Sequence, residues 1–169
     1  MKHGVTPVIY YCNPNIYPHE EYEIRKNECT RYAESLGLEI IDADYDHENW
    51  LECVKGPENG PERGGRRLKC FKLRLLRTAE YAAAHGIRVI TSTLASSRWK
   101  SLDQINEAGL WACSQINRRS SAAPLASVVW WDQNWRKGGL QERRLQIIKE
   151  YDFYNQLYCG CEFSMRKDG

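Results

Sequence analysis

The sequence predicts an α/β fold in which helices cover a parallel sheet. Three observations carry that prediction. Short β-branched and aromatic runs alternate with longer amphipathic runs along the chain. Gly37 and Gly86 stand just after two of the helical runs, where a C-terminal cap belongs. Turn-rich loops at 13–18, 93–100 and 132–139 each follow a strand-like run, so in a parallel sheet they gather at the carboxyl edge where ligands bind.

The elements follow in order. Residues 5–12 (V-T-P-V-I-Y-Y-C) read as a buried strand, which 13–18 (N-P-N-I-Y-P) breaks with turn chemistry. A helix is expected over 19–36, with Tyr22, Cys29, Tyr32, Ala33 and Leu36 on its apolar face. Residues 38–43 are a second strand. Asp46 can cap a short helix reaching Val54, with Trp50, Cys53 and Val54 on its packing side. A loop dense in glycine and proline, 56–65, then leads to a basic segment. Residues 71–85 are helical, striped by Phe71, Leu75, Thr78, Ala79 and Ala82, and 87–91 are the third strand. Ser101-Leu102-Asp103-Gln104 has the spacing of a capping box and opens a helix ending near Asn117. A Ser/Ala linker leads to a fourth strand over 126–131. A loop containing Trp135 precedes a helix over 140–151.

The chain has 169 residues, which suits one domain over 1–169 with 152–169 as a C-terminal tail. It is 42% hydrophobic and 27% charged, the balance of a soluble globule. No run of about 20 apolar residues exists to make a membrane helix. Met1-Lys2-His3-Gly4-Val5 lacks a signal-peptide core, so a cytoplasmic location is expected. Seven cysteines, an odd number, in a reducing compartment argue for metal or redox chemistry rather than a disulfide framework. Cys29, Cys53 and Cys113 lie on helical packing faces and read as core. The net charge is only +2, yet Arg63, Arg66, Arg67, Lys69, Lys72, Arg74 and Arg77 crowd one segment. Such a run is a footprint for nucleic-acid phosphates, or else a solvated helix face.

The chemistry concentrates in Cys159-Gly160-Cys161. Two thiols flank a glycine that lets the backbone bend, so both sulfurs can face one point. The pair can ligate a metal, close into an easily reduced disulfide, or pack as small apolar residues. Cys70, inside the basic segment, is the other thiol with a functional reading. His3, His19, His47 and His85 show no metal-ligand spacing, and no phosphate-binding glycine loop is present. Asp132 ends a strand and can act as an acid, as a metal ligand or as a turn cap. Ser96 and Ser97 can bind phosphate or simply shape their loop.

One resemblance organises these features. Tyr11-Cys12-Asn13-Pro14-Asn15-Ile16-Tyr17-Pro18, Glu20-Glu21-Tyr22 and Arg25 open it. It continues through Gly56, Pro61-Glu62, Arg66, Cys70-Phe71, Arg74-Leu75, Thr78-Ala79, Thr91-Ser92-Thr93-Leu94, Ser97 and Lys100. Trp135-Arg136-Lys137-Gly138-Gly139, Tyr154, Gln156, Tyr158-Cys159-Gly160-Cys161 and Phe163-Ser164 complete it. In these motifs, spread over nearly the whole chain, the sequence resembles the QueH family of epoxyqueuosine reductases. The resemblance implies a Rossmann-like (HUP-like) three-layer parallel sheet. It implies reduction of epoxyqueuosine to queuosine at the wobble position of tRNA anticodons, the last step of queuosine biosynthesis. It also implies a 4Fe-4S cluster, in some members an additional iron, and an electron donor. On this basis Cys159 and Cys161 are the catalytic redox-active pair and Cys70 is a cluster ligand. Arg63, Arg66, Arg67, Lys69 and Arg74 hold tRNA phosphates. Tyr10, Tyr11, Tyr17, Trp131 or Trp135 offers a ring to an unstacked base.

Two departures from the family pattern set further expectations. The N-terminal cysteine pair and the strand before it are absent, so the chain is expected to be N-terminally truncated, with Met1 an internal methionine. An exposed sheet edge would then make it marginally stable or self-associating. Arg67 stands where the family's C-x-x-C has its first cysteine, which leaves Cys70 alone of four ligands. A guanidinium has no lone pair to give iron. The competing readings are an inactive family member, a zinc module using Cys12, Cys70, Cys159 and Cys161, and a cluster-free thiol–disulfide protein.

Overall fold

A computed structural model describes residues 4–56, 64–119 and 127–165. Five helices and four short parallel strands make a mixed α/β chain: β1 (Ile9–Tyr11), α1 (His19–Ser35), β2 (Ile40–Asp42), α2 (His47–Val54), α3 (Gly65–Ala84), β3 (Val89–Ile90), α4 (Leu102–Arg119), β4 (Val129–Trp130) and α5 (Leu140–Glu150). Among the described residues two 3-10 turns, Thr93–Ser96 and Glu162–Ser164, accompany them. Among the described residues, no helix is long and apolar enough to cross a membrane. The chain divides into two compact units, residues 1–48 with 147–169, and residues 49–146.

In the first unit β1 and β2 pair in parallel, with Ile9 opposite Ile40 and Tyr11 opposite Asp42. Helix α1 makes the crossover between them. Its apolar face closes a small core of Tyr11, Ile16 and Tyr22, with Cys29, Ile40 and Tyr45 packed alongside. The Tyr22 hydroxyl donates to Asp42 Oδ1 at 2.5 Å, tying α1 to the end of β2. Burial, then that carboxylate, pushes the Tyr22 hydroxyl well above its ordinary range. Gly37 takes the left-handed conformation expected of a cap (φ 64°), and its amide donates to the Glu34 carbonyl.

The second unit is built on α3 against α4. Phe71, Leu75, Ala79 and Ala82 from α3 meet Ile105, Ala108, Ala112, Cys113 and Ile116 from α4. Ile90, Val128 and Trp130 from the β3–β4 side join the same core. These two strands are also parallel, with Val89 opposite Val129 and Ile90 opposite Trp130. Asn117 brackets the entry to β4: its amide donates to the Val128 carbonyl and its oxygen accepts from the Val128 N–H. The Ser101 hydroxyl accepts from the Gln104 amide, the cap read from the sequence.

Among the described residues the ladders hold two strands each, β1 with β2 and β3 with β4, which bears out the mixed α/β class with parallel strands. Each hydrogen-bonded stretch is shorter than its β-like run; in the first, Pro7 has no N–H to give a ladder, and pairing begins at Ile9. Helix α3 starts at Gly65 rather than at Phe71. The basic segment is therefore helical, and Arg66, Arg67, Lys69 and Cys70 lie on its first two turns.

Gly109 marks the tightest contact in the second unit. A β-carbon there would lie 2.2 Å from Trp130 Cδ2, while the Trp130 indole donates to Asn106 Oδ1 at 3.1 Å. Gly109→Ala is expected to lower unfolding stability by about 1–3 kcal/mol in a urea melt despite alanine's better helix propensity. An unchanged midpoint would show that the indole moves aside freely.

Candidate functional site

The thiol pair is held by a clasp. Gly160 has φ 116°, a conformation that other residues rarely adopt. A β-carbon on it would lie 3.0 Å from Arg25 Nη1, 3.1 Å from Ile16 Cγ1 and 3.3 Å from Asn15 Nδ2. Its carbonyl accepts from the Tyr17 amide at 2.8 Å, and the Tyr158 hydroxyl donates to the Tyr17 carbonyl. The 13–18 loop and the C-terminal tail thus lock together around the glycine between the two cysteines.

Helix α1 supplies the anchor. Arg25 and Glu21 are both buried, and Arg25 Nε donates to Glu21 Oε1 at 2.7 Å. The rest of the guanidinium reaches the tail. Nη1 donates to Gln156 Oε1 at 3.1 Å, Nη2 donates to the Tyr158 carbonyl at 3.2 Å, and Cζ lies 5.1 Å from the Tyr158 ring centre. The other Glu21 oxygen accepts from the Tyr154 hydroxyl at 2.9 Å, which raises the pKa of that hydroxyl. One turn on, Arg31 donates to the Tyr151 carbonyl and Glu28 accepts from the Tyr154 amide. Tyr32 packs edge-on against Tyr151 and Phe153.

Cys159 is exposed and Cys161 half-buried, and neither is in a disulfide. Cys161 Sγ donates to Ser164 Oγ at 3.5 Å, and that hydroxyl donates to the Cys161 carbonyl at 2.7 Å. Glu162 lies 3.6 Å from His47 Nε2. His47 Nδ1 stands 2.7 Å from the Pro14 carbonyl; a carbonyl can only accept, so Nδ1 carries a proton. His47 borders a pocket of about 410 Å³ lined by Tyr17, His19, Tyr45, Asp46, His47 and Glu48. Its ring stacks with those of Tyr17 and Tyr45.

The basic segment lies in the second unit. Arg67 Nη1 donates to the Trp99 carbonyl at 3.1 Å, joining α3 to the loop after β3. That loop is bound in turn to the loop after β4. Trp135 Nε1 donates to the Ser92 carbonyl, Thr91 Oγ1 to the Trp131 carbonyl, and Arg136 to the Ala95 and Lys100 carbonyls. The expected gathering of these two loops at the strand ends therefore holds within this unit. Lys69 donates to the Lys55 carbonyl at 2.6 Å and Lys72 pairs with Glu107 at 2.8 Å, so part of the basic run serves the fold. Arg66 and Arg74 are half-buried on α3, and Arg63 lies outside the described residues.

Several single-residue expectations resolve. Tyr11 is core rather than a ring offered to a base, because α1 covers it. Tyr17 is 43% exposed and borders the pocket. The Ser96 hydroxyl donates to the Thr93 carbonyl and closes the 3-10 turn. Asn134, not Asp132, organises the following turn by accepting from the Arg136 amide. Trp99 is a residue the sequence reading missed: it is 68% exposed, with the Arg98 guanidinium 4.9 Å from its ring centre. The signal was available in Arg98-Trp99-Lys100, an aromatic between two cations directly after a strand-end loop.

The cysteines separate by environment. Burial raises the Cys29 thiol above its ordinary value and pushes Cys113 up to about 11, so both stay protonated as packing residues. Cys70 is half-buried on α3, one turn after Arg67. Among the described residues neither unit gathers three or more His, Cys, Asp or Glu side chains into a metal site. The donors present do not fit a four-iron cluster. Such a cluster needs four thiolates or imidazoles, and beside Cys70 the chain presents a guanidinium.

A mixed α/β chain that presents an accessible C-G-C pair on a clasped tail has the form of a thiol-bearing α/β protein. A family model described as epoxyqueuosine reductase QueH matches residues 1–167, and the chain belongs to that family. It is 47% identical over 163 residues to the epoxyqueuosine reductase QueH of Histophilus somni, covering 96% of this chain and 63% of that protein. The Haemophilus influenzae protein of the same name is 46% identical over 166 residues, 98% of this chain and 64% of its own length. The one from Acinetobacter baylyi is 45% identical over 163 residues, with 96% and 71% covered. The chain thus spans a little under two thirds of the first two relatives.

The tail's docking has a predicted acid limit. The Glu28 carboxyl is held below its ordinary 4.5 by Arg31, then by the Tyr154 amide. A depressed carboxylate stabilises the folded state above the ordinary value, and that contribution is lost as pH falls through the depressed one. Amide exchange at Tyr154 is therefore expected to accelerate beyond its intrinsic pH dependence as pH falls through that depressed value. Glu28→Gln should abolish the step; a step that persists in that variant would assign it to another group.

Proposed function

We propose that this chain reduces epoxyqueuosine to queuosine at the wobble position of tRNA anticodons, with Cys159 and Cys161 as its redox pair. The observation that carries the reading is an accessible thiol pair, fixed by a buried clasp, in a chain of the QueH family. Taking the oxygen from an epoxide consumes two electrons and two protons and leaves an alkene and water. A dithiol closing to a disulfide releases that number: two S–H bonds are lost and one S–S bond forms. An external electron donor then reopens the disulfide. No step of this reading runs through a 4Fe-4S cluster or an additional iron, because on α3 Cys70 stands beside a guanidinium, which has no lone pair to give iron.

On the same reading, tRNA phosphates lie along the start of α3, on Arg66, Arg67, Lys69 and Arg74, with Arg63 before them. Trp99 and Trp131 offer exposed rings to unstacked anticodon bases beside that charge. The protein then works where tRNA is modified, in the cytoplasm.

The test is conversion of tRNA-bound epoxyqueuosine under anaerobic conditions with a dithiol reductant, read by nucleoside mass analysis. Cys159→Ser and Cys161→Ser are each expected to lose activity by about a hundredfold or more while binding tRNA normally. Trp99→Ala is expected to weaken tRNA binding by about tenfold. Full turnover in either serine variant would remove the pair from the chemistry.

One observation favours a second reading. With Arg67 in a ligand position, the chain is a tRNA-binding family member without cluster chemistry. Arg67→Cys should then take up more iron and acid-labile sulfide per chain than the parent when both are reconstituted without oxygen. Equal loading of both at about four irons would sink this second reading.

A further inference from the structure

Arg25 is a permanent cation with little access to water, and such a group is costly unless fully partnered. One partner, Glu21, is on its own helix; the others belong to the segment that carries the thiols. Nη1 bonds Gln156, Nη2 bonds the Tyr158 carbonyl, and the Tyr158 ring covers Cζ. Nη1 also lies 3.0 Å from where a β-carbon on Gly160 would be, and the Tyr17 amide holds the Gly160 carbonyl. The backbone between the two sulfurs is thus held while the two cysteines are not joined in a disulfide. Closing a disulfide across one residue draws the two β-carbons to about 4 Å. That re-sets the backbone at Gly160, the residue wedged among Arg25, Asn15 and Ile16. Contacts made by the reduced tail and strained in the oxidised one stabilise the reduced form, as any selective binding does.

We propose that Arg25 is the positioning residue of the Cys159–Cys161 pair: its guanidinium, by bonding the Tyr158 carbonyl and filling the space beside Gly160, holds the pair in its dithiol conformation and sets its redox poise. The inference rests on the reading of Cys159 and Cys161 as a redox pair. Linkage is reciprocal: the tail docks more tightly on α1 when the pair is reduced.

The experiment equilibrates the full chain with mixtures of reduced and oxidised glutathione. Each turnover converts dithiol plus oxidised glutathione into protein disulfide plus two reduced glutathiones. After acid quenching and alkylation, the state of the pair is read by mass on the tryptic peptide 150–166, which contains Cys159 and Cys161 and no other cysteine. Arg25→Gln is expected to raise the equilibrium constant for disulfide formation about tenfold, which is about 30 mV more negative in potential. Arg25→Lys keeps the charge but loses the planar fork, and is expected to behave like the glutamine variant. Agreement of Arg25→Gln with the parent within about twofold, or parent-like behaviour of Arg25→Lys, overturns the proposal. If Arg25→Gln does not fold, Gln156→Leu carries the test, with a shift of about threefold expected in the same direction and no shift overturning it. A parent that forms no disulfide in that peptide at any glutathione ratio refutes the redox reading itself, and this inference with it. A disulfide that forms equally in parent and variants refutes the inference alone.

Discussion

The buried Arg25–Glu21 pair is the constraint on which the thiol-bearing unit depends. A guanidinium and a carboxylate withdrawn from water must satisfy each other and find partners for their remaining hydrogen-bonding sites. The two face each other one turn apart on α1, and their remaining valences are met by Tyr154, Gln156 and Tyr158 of the tail. Breaking such a pair by deleting one member leaves an uncompensated buried charge, a loss of about 3–5 kcal/mol. That is a large share of the stability of a small unit. The tail itself has little else: among its described residues the regular structure is one 3-10 turn, and Leu157 is exposed. Ionic and hydrogen-bonding contacts, with the edge-on packing of Tyr32 against Tyr151 and Phe153, hold it in place of a hydrophobic core.

The second unit solves a different problem. Strands of two residues give too few ladder bonds to stand alone, so side chains do part of the work. Asn117 acts as a further rung at Val128, and Trp130 lies flat on the glycine gap at Gly109. Past the strand ends, Trp135 and Arg136 spend their donors on carbonyls of the neighbouring loop. The result is a fixed edge on which Trp99 and Trp131 remain exposed. This suits a surface that meets an unstacked base, because rigid rings lose little entropy on contact.

The seven cysteines show how one residue type takes several roles. Cys29 and Cys113 are withdrawn from water, which favours the neutral thiol and makes them packing groups. Cys159 faces solvent on a rigid turn, where a thiol can exchange. Cys70 shares a helix face with a guanidinium that cannot bind metal. Arg67 serves the fold instead: its side chain bonds the Trp99 carbonyl and fastens α3 to the loop that carries the exposed indole.

The sequence by itself determined the local frame. Gly37 as a cap, the Ser101 capping bond, the apolar stripe of α3, the order of strands and helices and the C-G-C pair were all legible. Each follows from interactions that span four residues or fewer. The start of α3 was not, because Gly64-Gly65-Arg66-Arg67 has no apolar periodicity; Leu68, Phe71 and Leu75 fix that helix by docking on α4. Nor was the role of Arg25, whose partners Gln156 and Tyr158 lie 131 and 133 positions away. A charged residue on a helix reads as solvated until the fold buries it. Which charges are buried, which rings stay exposed and how many strands share a ladder are decided by packing between distant segments, and that only the tertiary structure supplies.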